Sequence, residues 1–132
     1  MEPTLTVTLD GKTIFTSAAR WLHPLFELER FLDSTPCDRA RLVVKDKIVG
    51  RAAAMLLVRL GIRRVQAGIL SLPGREVLEA HAVQFEYGEL VARIECQTEE
   101  LLLRETDLER AYALLAERAG APQADRSGAG GD

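Results

Sequence analysis

From Leu5 to Leu9 apolar residues alternate with Thr6 and Thr8, the period-two pattern of a strand with one buried face. Asp10-Gly11 follows, the dipeptide preferred in a two-residue type I′ turn, and residues 12–16 supply the return strand of a hairpin. The period then lengthens. Leu25, Leu28, Phe31 and Leu32 share one helical face behind Pro24, whose missing N–H costs nothing in a first turn, and Thr35-Pro36 closes the segment. Leu42, Val43 and Val44, within residues 41–45, form the short apolar run of a central strand.

A helix is predicted from about Lys47 to Gly61, with Ala52, Ala53 and Ala54 letting it lie close to a sheet and Gly61 as a left-handed cap. Residues 62–70 alternate through Val65, Ala67 and Ile69 as the next strand. Ser71-Leu72-Pro73-Gly74 reads as a helix start capped by Ser71, with Val77, Leu78 and His81 on its inner face. Residues 83–87 read as a short strand, and Leu90, Val91 and Ile94 favour a short helix within 88–95. Thr106 or Asp107 caps a last helix carrying Leu108, Tyr112 and Leu115. Residues 119–132 have no periodicity and are expected to be a disordered tail behind a single domain spanning 1–118. Strand–helix–strand crossovers imply parallel pairing and the opening hairpin is antiparallel. The predicted class is therefore α/β: a three-layer α/β/α sandwich around a mixed sheet.

Composition narrows the class without naming a reaction. At 132 residues, 47% apolar, the chain can bury a real core, and no apolar run approaches the ~20 residues that span a bilayer. The start, Met1-Glu2-Pro3-Thr4, lacks a hydrophobic signal region, so export is not expected and the cytoplasm is the expected compartment. Two cysteines, Cys37 and Cys96, lie far apart, and no bridge is expected between them. The net charge of −3 hides an asymmetry: nine basic residues face the single acid Asp46 between Arg39 and Arg75, whereas acids outnumber bases eleven to four from Glu76 to Arg118. Ordinary solvated charge is the plain reading and an anion-binding face the sharper one. Nucleic acid is disfavoured, because aromatics make up only 5% of the chain and do not interleave with the basic residues.

The densest chemistry is Lys45-Asp46-Lys47-Ile48-Val49-Gly50-Arg51, read as two lysines, a glycine and an arginine opening a buried helix. A helix start carries unpaired N–H groups and partial positive charge, so added cations make it a candidate anion site. The element order is similar to that of the cytidine deaminase-like fold. Within it, Asp46-x-x-Val49-Gly50-Arg51-Ala52-Ala53-Ala54 resembles the signature of a small prokaryotic domain family of unknown function, with Pro24-Leu25, Gly61-Ile62 and Ser71 in matching places from about Leu5 to Tyr112. A late Cys-Pro-x-Glu segment frequent in that family is missing from residues 94–100.

The resemblance implies a scaffold more than an activity. Zinc deaminases use His/Cys-x-Glu at one helix start and Pro-Cys-x-x-Cys at the next. Here those places hold Val49-Gly50-Arg51 and Pro73-Gly74-Arg75-Glu76-Val77, and neither His23 nor His81 has ligand spacing with a cysteine. No metal ligands and no cofactor are therefore expected, and zinc-dependent deamination is disfavoured. The resemblance also implies homo-oligomers and includes zinc-free members similar to a purine-biosynthetic transformylase.

In such sheets ligands gather where strand ends meet helix starts. That mouth would be built from Lys45, Asp46, Lys47, Gly50, Arg51, Ser71 and Gly74. Four of them have a plainer role: Asp46 as helix N-cap, Arg51 solvated or paired with Asp46, Ser71 as cap, Gly50 as a packing glycine. Three readings follow. The first is a zinc-free deaminase-fold protein binding a small anionic, nucleotide-like ligand without deaminase activity. The second is a zinc-independent enzyme acting on a nucleobase or acyl donor through Asp46, Arg51 or Ser71. The third is an oligomeric assembly subunit using the apolar face at Met55-Leu56-Leu57 and the aromatics Phe85 and Tyr87.

Overall fold

The computed structural model describes residues 3–94, 102 and 105–124, with side chains to 120. The opening hairpin forms as its turn chemistry dictates: β1 (Leu5–Leu9) and β2 (Lys12–Ser17) are joined through Asp10 and Gly11, both at positive φ (52° and 83°). Next come α1 (His23–Asp33), a 3₁₀ turn (Arg39–Arg41), β3 (Leu42–Val49), α2 (Arg51–Arg59), β4 (Arg64–Ser71), α3 (Leu72–Ala80), β5 (Gln84–Val91) and α4 (Leu108–Ala124). The sheet order is β2-β1-β3-β4-β5. The β1 pairings with β2 and β3 are antiparallel, and β3–β4 and β4–β5 are parallel. The fold is thus a three-layer α/β/α arrangement with a mixed five-stranded sheet and, among the described residues, four helices.

Alternation along the strands sorts the sheet into two faces. Leu5, Val7, Val44, Val65 and Ala67 point into the core beneath the helices. Lys45 of β3, Gln66 and Gly68 of β4 and Glu86 of β5 point the other way and are exposed, so this part of the second face has no helical cover among the described residues. Helix α2 is the hub. Its residues Ala52 to Leu57 are all buried, and it packs on α1, α3 and α4. Small residues at its start permit that close seating. Gly61 closes it in a Schellman motif, with φ 89° and hydrogen bonds from Ile62 N to Leu57 O and from Gly61 N to Val58 O.

Three boundaries differ from the sequence expectation. β3 runs on to Val49, so Asp46 is not a helix cap; it pairs in the ladder with Leu5 and Ala67, and Gly50 takes the N-cap position of α2. Lys45 and Lys47 are therefore strand residues and do not open the helix. Strands on both flanks extend β3, and a polar run survives there because Lys45 and Lys47 point away from the core. Residues 88–91 are not helical. They continue β5, where Leu70 pairs Leu90 and Ser71 pairs Val91. A Cβ at Gly88 would lie 3.0 Å from the Gly68 carbonyl oxygen, so the two strands approach closely there. Finally, α4 continues to Ala124, so residues 119–124 are helical. The rest of the expected tail, the 94–100 segment beyond Ile94, and Cys96 lie outside the described residues.

Candidate functional site

Where β3 ends and α2 begins, the chain passes from a paired strand into a helix with no side-chain cap on its N-terminal N–H groups. A cavity of about 350 Å³ opens at this junction. Asp46, Lys47, Ile48 and Gly50 form one wall and Ala52 and Ala53, in the first turn of α2, another. The entry to α1 supplies Trp21, Leu22 and Pro24, and Ile94 closes the rim. The lining is largely apolar. Among the described residues its charged groups are Asp46, Lys47 and Arg20.

Asp46 is the chemically distinctive group. Burial pushes its carboxyl up to about 7 from an ordinary 3.8, and hydrogen bonds from the backbone N–H groups of Ile48 and Lys47 pull only partly the other way. Its ladder neighbours, Leu5 and Ala67, give the charge no compensation. Trp21 is the second unusual residue. It is 41% exposed, sits at φ 59° in the turn closed by His23 N to Arg20 O, and meets the His23 ring edge-on at 5.3 Å. A bulky side chain in the left-handed region is strained by about 1 kcal/mol or more, and such strain clusters at functional sites.

The structure divides the seven residues proposed for the mouth. Asp46, Lys47 and Gly50 line the cavity. Lys45 lies on the other side of β3, in a second cavity of about 340 Å³ with Thr6, Gln66 and Gly68, which shares only Thr4, Asp46 and Lys47 with the first. Arg51 is buried at 6% exposure, and its guanidinium donates to the carbonyls of Leu102 and Glu105, with Glu76 at 3.9 Å. It is neither solvated nor paired with Asp46. Ser71 caps α3 as expected, accepting from Gly74 N at 3.0 Å. Gly74 is a packing glycine: a Cβ there would lie 3.0 Å from the Gly50 carbonyl and from Val49 O. The two helix starts therefore meet, as the mouth geometry requires, but Arg51, Ser71 and Gly74 hold the framework and do not line the cavity.

Sequence reasoning missed Trp21. The available signal was that the chain's single tryptophan precedes the proline-opened helix outside its apolar stripe. The structure also removes Met55-Leu56-Leu57 as an outer surface, since all three are buried, while Tyr87 is 43% exposed. Among the described residues no group of three or more His, Cys, Asp or Glu side chains is placed to hold a metal ion, and Cys37 is a free thiol. No helix among them is long and apolar enough to cross a membrane.

The sequence profile of a family described as TM1506, domain of unknown function (DUF1893), matches residues 2–118. The chain belongs to the DUF1893 family. The crystal structure of a DUF1893 family protein (TM1506) from Thermotoga maritima is similar over 88% of this chain and 80% of that one, with 25% sequence identity and a TM-score of 0.78. No curated protein matches the sequence. Neither DUF1893 match carries the name of a deaminase or of any other activity.

Proposed function

We propose that this DUF1893 chain binds a small anionic, nucleotide-like ligand in the Asp46 cavity, on a deaminase-like scaffold and without deaminase activity. One observation carries the reading: an uncapped helix start and a half-buried carboxyl line the same largely apolar cavity of about 350 Å³. Small-molecule sites have this size and character, with few polar groups fixing orientation. An anionic group would sit at the start of α2, where the backbone of residues 51–53 offers N–H donors. The rest of the ligand would fill the apolar space toward Trp21 and Ile48. Arg51, Ser71 and Gly74 support this arrangement from outside the cavity, and Lys45 takes no part in it.

Thermal shift with a panel of nucleoside monophosphates and phosphorylated metabolites tests the proposal. A ligand at about a hundred times its Kd stabilises by ~2.7 kcal/mol, a shift of several degrees in Tm. The wild type is expected to respond to at least one member and Asp46→Ala to respond far less. A panel that moves neither protein overturns the reading.

A second reading draws on the same carboxyl. An acid with a pKa of about 7 suits proton transfer at neutral pH, as a zinc-independent enzyme would need. Turnover that persists in chelator and vanishes in Asp46→Asn would select it over simple binding.

A further inference from the structure

The polar content of the cavity constrains its occupant further. Asp46 reaches it from the middle of β3, with apolar neighbours, Leu5 and Ala67, on both sides in the ladder. Apart from two cations, the walls facing it are uncharged. Thr4 from the start of β1 and Ala52 and Ala53 from α2 are uncharged, Arg51 is turned to the Leu102 and Glu105 carbonyls, and Arg20 and Lys47 are the lining cations. Trp21, 41% exposed, lines the cavity from the turn that precedes α1.

We propose that the ligand is an amino-substituted nitrogen heterocycle, whose exocyclic amino group and adjacent ring nitrogen pair with the Asp46 carboxyl while Trp21 covers its face. A carboxyl is matched to that edge in either proton arrangement: one oxygen accepts from the amino group, and one proton is shared between the other oxygen and the ring nitrogen. The elevated pKa keeps both arrangements open near neutral pH. Planar rings stack on indole without regard to their substituents, so Trp21 supplies affinity and Asp46 supplies selection. An edge lacking either nitrogen leaves a polar atom of the carboxyl unpaired in an apolar wall, which is the costly outcome. This inference rests on the reading of the cavity as a small-molecule site.

The single tryptophan gives one indole N–H signal, so ¹⁵N-edited NMR of the full chain reports the site directly. The probes are 2-aminopyridine, aniline (no ring nitrogen) and 2-methylpyridine (no amino group), with phenyl phosphate in parallel. 2-Aminopyridine is expected to move the Trp21 signal saturably, with the two single-nitrogen probes at least ten-fold weaker. Asp46→Leu should abolish the response, and Asp46→Asn, which keeps a donor beside an acceptor, should retain it within about three-fold. Equal affinity for the three ring probes overturns the proposal, as does undiminished binding in Asp46→Leu or loss in Asp46→Asn. Response to phenyl phosphate without response to 2-aminopyridine overturns the heterocycle assignment and leaves the cavity reading standing. Silence to every probe overturns both.

Discussion

Asp46 sets the proposed ligand contact against stability within one side chain. Folded, it holds its proton up to about pH 7, whereas the unfolded carboxyl gives it up near 3.8. Below the lower value both states are protonated and the group contributes nothing. Between the two the folded state binds more protons, so stability falls as pH rises, and above 7 the cost is complete, on the order of 2–4 kcal/mol. Asn keeps the shape and removes the charge. Asp46→Asn is therefore expected to match the wild type in urea unfolding near pH 4 and to exceed it near pH 8. Equal stability at both values would show that the carboxyl is solvated in the folded chain.

At the scale of elements, local chemistry decided what could be read in advance. The Asp10-Gly11 turn, the Ser71 cap, the Gly61 motif and the Asp107 cap, which accepts from Glu109 N and Arg110 N, all depend on a few consecutive residues, and all form. The ends of β3 and of β5 depend on distant strands, and there the periodicity misled. Lys45-Asp46-Lys47 looked like a helix start because nothing local reveals that its lysines face an exposed part of the sheet. Arg51 was equally illegible, since its partners are carbonyls more than fifty residues away. Helix α3 ends in a second Schellman motif, with Val83 N bonded to Leu78 O and Ala82 at φ 56°. An alanine there is strained where glycine is not. Ala82→Gly is expected to stabilise the fold by about 1 kcal/mol, seen as a Tm rise of a few degrees; a fall would show that the alanine methyl packs usefully.

On the scale of the whole molecule, Arg59 ties the helical layers together. From the end of α2 it bonds Glu29 of α1 at 2.9 Å and Glu109 of α4 at 3.0 Å, with its guanidinium 3.6 Å from the centre of the Tyr112 ring. Tyr112 in turn donates to Glu29 at 2.8 Å. Partial exposure moderates the worth of such a network, yet removing its cation leaves Glu29 without its charge partner. Arg59→Met is expected to cost about 2 kcal/mol and to speed amide exchange in α1 and α4 more than in β3 and β4. Uniform acceleration would argue that the helices and sheet open together.

The sheet ends on one side at β5, whose outer edge has no partner among the described strands. Bare edges of this length invite copies of a protein to zip into ribbons. Glu86 and Glu89 point to opposite faces of β5, and both are exposed. A second β5 laid alongside in register would set carboxylate against carboxylate above and below the sheet. Among the described residues β5 thus leaves a flank unpaired while its carboxylates oppose a second copy laid in register.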